Sequence, residues 1–167
     1  MKEAAHNQDH LQPVPALGDR LVRRHLLLGW GYLLLYIALG SVLECLLAFK
    51  VSFYVRADHE ALRLLWRLAH AHGTLLGLLH LAFCFTLPRL RAAAFPQPAR
   101  TISGCLTAAS WLIPGGFFLG GLGASEADPS PAVLLVPCGA ALLMLSLGAL
   151  VVQLLKHPDP SAPSDRA

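Results

Sequence analysis

The sequence predicts an all-α protein, a four-helix transmembrane bundle with both termini in the cytoplasm. Of its 167 residues, 55% are hydrophobic and only 14% are charged, whereas soluble domains average roughly 25% charged residues. It contains four apolar runs, each long enough at about 1.5 Å per residue to cross a hydrocarbon layer of roughly 30 Å. Lysine and arginine flank these runs, which favours a role in membrane orientation over nucleic-acid binding.

We predict one membrane unit over residues 20–156, between unstructured tails at 1–19 and 157–167. The four spans are expected at about 26–49, 64–87, 101–124 and 132–155. The first span follows a basic segment and so resembles a signal peptide at its start. Its apolar run is long enough to cross the membrane, however, which predicts that it is not cleaved.

The second span is unusual because it contains ionisable residues. Between Glu60 and Cys84 the sequence has two arginines and three histidines. A charged or polar side chain at membrane depth is costly unless it has a partner. We therefore expect this helix to turn a polar face towards the other spans.

The third span is rich in small residues and contains a proline. Pro114 precedes Gly115 and Gly116, and Gly120 completes a GxxxG pattern. Proline within a helix removes one backbone hydrogen bond and favours a kink. Small residues allow helices to approach closely, which predicts ordinary helix packing here. A broken-helix substrate site is the alternative.

Basic residues predict the orientation of the spans. Nine lie on the side of the N-terminus and four on the opposite side, which puts both termini in the cytoplasm. The nine are Lys2, Arg20, Arg23, Arg24, Arg89, Arg91, Arg100, Lys156 and Arg166, and the four are Lys50, Arg56, Arg63 and Arg67. A composition rich in arginine, leucine, alanine and glycine indicates a bacterium with a GC-rich genome, and hence the inner membrane.

A polar intramembrane cluster is predicted in the outer half of the protein. Arg67, His70 and Thr74 share one face of the second span. Glu44 lies at a similar depth in the first span, and consecutive spans usually pack as antiparallel neighbours. We expect Glu44 to face Arg67 or His70, either as a structural pair or as a site for a cation, a proton or a cofactor. The Glu44→Gln substitution should then lower the stability of the bundle.

His70, His72 and His80 are the candidate metal or haem ligands. On a helix His72 lies about 200° round from His70, and His80 lies about 15 Å further along the axis. One helix alone therefore cannot bring the three histidines to a single ion. Haem needs ligands on facing helices, which predicts a dimer, a Met144 ligand or a partner subunit. Haem and a transition-metal ion both stay open as cofactors.

No catalytic residue is predicted. The sequence lacks GxSxG, HExxH, Walker and dinucleotide-binding patterns. The four cysteines each fall in a different apolar run without metal-ligand spacing, which is typical of small buried residues. The sequence therefore favours a protein that is not an enzyme and leaves that question open.

Three segments carry a resemblance to known proteins: RLLWRLAHAHGTLLGLLHLAF, GFFLGGLG and AVLLVPCGAALLML. Together they resemble a group of small, uncharacterised four-span bacterial membrane proteins, and the resemblance covers Arg23 to about Leu155. It implies the fold and the location, and no activity. The four residues from His70 to Gly73 are also similar to histidine pairs in spans of the haem-copper oxidase type, without the other ligand helices.

Three functional hypotheses follow. The first is a structural or accessory component with a polar Glu/Arg/His cluster, whose partners are the lipid bilayer, itself or a larger membrane complex, and not nucleic acid. The second is a membrane protein that binds a metal ion or haem through the histidines of the second span. The third is a subunit of an oligomeric transporter or channel, in which Pro114, Gly115 and Gly116 would form a gate.

Overall fold

A computed structural model describes residues 17–88, 96–124 and 128–156. Its α helices are α1 (Leu17–Ala48), α2 (Ser52–Val55), α3 (Glu60–Thr86), α4 (Pro96–Leu122) and α5 (Leu135–Lys156), with short 3-10 turns at Ala57–His59 and Pro131–Leu134. Of the predicted N-terminal tail at 1–19, residues 1–16 lie outside the described residues and residues 17–19 belong to α1. The predicted tail at 157–167 and the basic link at 89–95 also lie outside the described residues.

Four of these helices are long and apolar enough to cross a membrane. The prediction of an all-α protein with four long apolar helices is confirmed. Helix α1 begins at Leu17, well before the predicted start of the first span near residue 26. The additional turns carry three arginines and His25 within the helix, because a helix continues through the polar residues that flank an apolar run.

The long helices pack in chain order as antiparallel neighbours. Helix α1 lies on α3, α3 on α4, and α4 on α5. The hydrophobic core is formed by residues of α1, α3 and α4, together with Leu87 just after α3: Leu21, Leu76, Phe83, Leu87, Ala99, Ile102, Leu106, Ala109 and Ile113. Helix α5 packs chiefly against α4, at the edge of this three-helix core.

Glycines bring α1 and α3 close together. A Cβ atom added to Gly29 would lie 2.7 Å from Leu81 Cγ and 3.1 Å from the carbonyl oxygen of Gly77. A Cβ on Gly40 would overlap the His70 ring, and a Cβ on Gly73 would overlap the Tyr36 ring. These contacts fix the register of the pair, because each ring fills the space that a glycine leaves.

Two glycines of α4, Gly116 and Gly120, lie against the segment that leads into the fourth long helix. A Cβ on Gly116 would approach Leu135 Cβ to 3.0 Å, and a Cβ on Gly120 would lie 3.4 Å from Val133 Cβ. A Cβ on Gly115 would meet open space. Pro114 is buried within α4, which runs through it without interruption. The GxxxG pattern thus lies where the chain returns into α5.

Candidate functional site

Two histidines from different helices meet in the core. His25 of α1 and His80 of α3 are both 0% exposed. Their Nδ1 atoms lie 2.6 Å apart, which is a direct hydrogen bond between the two rings. This pair connects α1 to α3 in the half of the bundle that contains the N-terminus of α1.

Two serines of α4 extend the pair on both sides. Ser103 Oγ lies 2.7 Å from His25 Nε2, and Ser110 Oγ lies 2.9 Å from His80 Nε2. The serines are seven residues apart, so they share one face of the helix, and both are buried. We call the series Ser103, His25, His80 and Ser110 the histidine–serine chain. It links three helices by side-chain hydrogen bonds alone.

The hydrogen bonds of this chain all run in one direction. The Ser110 hydroxyl donates to the carbonyl oxygen of Leu106 at 2.8 Å, so it must accept from His80 Nε2–H. A neutral His80 then accepts at Nδ1, and His25 must donate from its own Nδ1–H. His25 Nε2 is left as an acceptor for the Ser103 hydroxyl. The chain is therefore fully satisfied with both histidines neutral and in different tautomers.

Aromatic side chains surround the histidine pair. The Phe83 ring meets the His25 ring edge-on with centroids 4.7 Å apart, and the Tyr32 centroid lies 5.8 Å from that of His80. Tyr32 is buried, and its hydroxyl has no hydrogen-bond partner among the described residues. In these apolar surroundings a lost hydrogen bond cannot be replaced by water, which raises the cost of breaking the chain.

The geometry suits protons better than a metal ion. Two histidine nitrogens on one tetrahedral metal at about 2.0–2.1 Å each lie about 3.3 Å apart, whereas the two Nδ1 atoms are 2.6 Å apart. Within residues 17–88, 96–124 and 128–156, no three histidine, cysteine or acidic side chains group closely enough to hold a metal ion. Each group of the histidine–serine chain carries an exchangeable proton. Rotation of both hydroxyls and a change of tautomer in both histidines would therefore reverse the direction of its hydrogen bonds.

The predicted polar cluster lies in the other half of the α1–α3 interface. Glu44, Arg67 and His70 line one groove of about 490 Å³ between the two helices. Neither an ion pair nor a hydrogen bond joins Glu44 to Arg67 or His70 in the described part of the chain. His70 Nδ1 lies instead 2.6 Å from the carbonyl oxygen of Tyr36, and the Thr74 hydroxyl donates to the carbonyl oxygen of His70. A binding role for this cluster stays a prediction.

The three candidate ligand histidines of α3 are not brought together. His70 contacts α1, and His80 pairs with His25. His72 Nδ1 bonds to the carbonyl oxygen of Leu68, and its ring packs on Phe117 of α4 with centroids 4.9 Å apart. The suggested axial ligand Met144 is 71% exposed on α5. Each histidine thus has its own surroundings.

Sequence reasoning missed His25 and Ser110 as partners of His80, and Ser103 as the partner of His25. Helix register contains the missing clue, since Gly29 of α1 lies against Gly77 of α3. In an antiparallel pair, a step of four residues back along α1 corresponds to about four residues forward along α3. His25 therefore lies against a position near residue 81. The serines could not be found in this way, because their alignment depends on how α4 packs on both other helices.

Comparison with protein-family models, with curated protein sequences and with solved structures found no match.

Proposed function

We propose that this chain is a multi-pass protein of the bacterial inner membrane, with both termini in the cytoplasm, and that it serves as an accessory component of a larger membrane assembly. The observation that carries the proposal is α5. An 18-residue window within the segment Pro131–Lys156 has a mean hydropathy of 2.3, yet only 11% of that window is buried. Such an apolar helix needs cover from lipid or from a partner.

The two ends of the set of four long helices differ in charge, which supports the proposed placement of both termini in the cytoplasm. Among the described residues, the end at the start of α1 has five basic side chains and one acidic side chain, Asp19. The opposite end has four basic and four acidic side chains. The positive-inside rule assigns the basic end to the cytoplasm.

Reporter fusions test the topology. A reporter that is active only in the cytoplasm should work when fused after Lys156 and should fail when inserted near Asp128. The reverse pattern would contradict the orientation.

Extraction of membranes with alkaline carbonate tests the membrane location. It should leave the chain in the pellet, because four apolar helices hold it in the bilayer.

Site-specific photo-crosslinking tests the accessory role. A crosslinking residue at the exposed position Met144 should give one discrete protein adduct in native membranes if a partner covers α5. The matched control is Ser146, which is buried against α4 and should crosslink only within the chain. Lipid adducts alone at Met144 would contradict an accessory role while leaving the membrane location intact.

A second candidate function is a proton-conducting subunit of an oligomeric transporter or channel. The histidine–serine chain favours it, because linked ionisable groups within spans are typical of proton pathways. Reconstituted protein should move protons into vesicles that contain a pH-sensitive dye, and a His25→Leu/His80→Leu variant should not. A stable lone monomer by native mass spectrometry would contradict this candidate.

A further inference from the structure

A second groove lies between α1 and α4, near the start of α1, whereas the predicted cluster lies near the end of α1. It has a volume of about 650 Å³. Its lining combines basic residues near the start of α1 with apolar residues further along: Arg20, Arg23, Arg24, Leu27, Leu28, Thr107 and Trp111. The groove exists because α1 and α4 both pack on α3 and are bridged at this level by the His25–Ser103 hydrogen bond.

The polar and apolar parts of this groove follow one another along the helix axis. Arg23 and Arg24 lie within the first turns of α1, and Leu27 and Leu28 lie one turn further in. Trp111 lies deeper still, since its ring meets that of Tyr32 with centroids 5.8 Å apart. Leu27 is 66% exposed and Trp111 is 64% exposed. The groove therefore offers positive charge at one end and a bare apolar wall below it.

The charges of Arg23 and Arg24 at the mouth of the groove have no ion-pair partner among the described residues. In the part of the chain that the structure describes, the ion pair joins Arg56 to Asp58, at the opposite end of the molecule. Neither Arg23 nor Arg24 takes part in it. Both arginines are exposed. Guanidinium groups bind phosphate through two parallel hydrogen bonds, and basic pockets between spans suit the head groups of anionic lipids.

We propose that the groove between α1 and α4 binds an anionic phospholipid, with its phosphate at Arg23 and Arg24 and an acyl chain along Leu27, Leu28 and Trp111. The order of groups in the groove matches the order of groups in such a lipid. The inference rests on the proposed membrane location and goes beyond it, because it assigns a specific lipid site. Free phosphate offers the same charge without an acyl chain, so it would not use the apolar wall.

Native mass spectrometry of the purified full chain tests the proposal. The protein is exposed to an equal mixture of phosphatidylglycerol and phosphatidylcholine, and the retained lipid is counted. We expect phosphatidylglycerol to be enriched, and the enrichment to fall in Arg23→Gln/Arg24→Gln by about fivefold for each arginine removed. The matched control is Arg100→Gln/Lys156→Gln, which removes two charges from the same end outside the groove and should leave the enrichment unchanged.

Several results would overturn the site. Equal losses in both double variants would show that general surface charge attracts the lipid. Displacement of phosphatidylglycerol by an equal concentration of inorganic phosphate would show a free-anion site. If Arg23→Gln/Arg24→Gln kept the enrichment of phosphatidylglycerol, the two arginines would not belong to the lipid site. Each of these outcomes is independent of carbonate extraction, which tests the membrane location alone.

Tryptophan fluorescence gives a second measurement that needs no arginine variant to fold. Phosphatidylglycerol with a brominated acyl chain should quench the wild-type protein more strongly than brominated phosphatidylcholine, because its chain lies on Trp111. The excess quenching should disappear in Trp111→Phe. Equal quenching by the two lipids, or an excess that persists in Trp111→Phe, would overturn the proposed position of the acyl chain.

Discussion

The two polar regions of the α1–α3 interface differ in how they are covered. In one half, His25 and His80 are fully buried and bonded to serines of α4, and every hydrogen bond of the pair is made within the protein. In the other half, Glu44, Arg67 and His70 line a groove, and Glu44 is exposed. The region around Glu44 contains more formal charge, but the groups around His25 and His80 cannot replace a lost hydrogen bond with one to water.

This difference shows that coverage, more than the number of ionisable residues, decides which polar group controls stability. A buried polar group without its partner costs about 1–3 kcal/mol. An exposed charge pair contributes about 0–1 kcal/mol. Substitutions in the two halves should therefore differ in effect, although both halves belong to the same pair of helices.

The largest effect is expected for His80→Leu. The substitution leaves His25 Nδ1–H without an acceptor in an apolar site, and we expect a loss of about 2–3 kcal/mol in the free energy of unfolding. Reversible unfolding in mixed micelles, followed by circular dichroism, measures it. His72→Leu is the control, because it removes a hydrogen bond to Leu68 within its own helix and a ring contact with Phe117, but no hydrogen bond to another helix.

The double variant His25→Leu/His80→Leu sharpens this prediction. Removing both partners leaves no unpaired ring, so the double variant should be more stable than the two single losses predict. A coupling energy of about 1–2 kcal/mol is expected. Strict additivity of the two single variants would show that the rings do not interact.

The next effect is expected for Gly73→Ala, where a Cβ atom would overlap the ring of Tyr36. Overpacking of this kind costs about 1–3 kcal/mol. Gly31→Ala on α1 is the matched control, because a Cβ there meets open space and alanine is a better helix former than glycine. Equal melting temperatures for the two variants would contradict the close packing of α1 on α3.

A smaller effect, about 1 kcal/mol, is expected for Ser103→Ala, which removes the donor to His25 Nε2. Thr107→Ala is the control, since its hydroxyl bonds only to the carbonyl oxygen of Ser103 in the same helix.

Nitrogen-15 NMR of the wild type tests the direction of the hydrogen bonds in the histidine–serine chain. His25 should carry its proton on Nδ1 and His80 on Nε2, and identical tautomers would rule out this direction.

The smallest effect is expected for Glu44→Gln. The sequence alone predicts lower stability, but Glu44 is exposed and forms no ion pair with any described residue, so we expect a change within about 0.5 kcal/mol. Chemical unfolding of this variant beside Arg67→Gln measures it. Losses above 1 kcal/mol that are not additive between the two would show that the pair forms in the membrane.

Much of the fold could be predicted from local sequence. Runs of apolar residues with the length of a span determine four long helices, because the length and hydropathy of a run are properties of neighbouring residues. The position of Gly116 and Gly120 at a helix contact could also be expected from their spacing. The start of α1 could not, since a helix continues beyond its apolar run whenever its flanking residues tolerate it.

The sequence by itself determined that the chain is helical and apolar, and that α3 carries a polar face. Only the tertiary structure decided which polar groups became partners. His25 meets His80 because glycines set the register of α1 on α3, and both meet serines because α4 packs across that pair. Such contacts join residues that are 30 to 78 positions apart in the chain, and local patterns contain no information on the angle and register that bring them together.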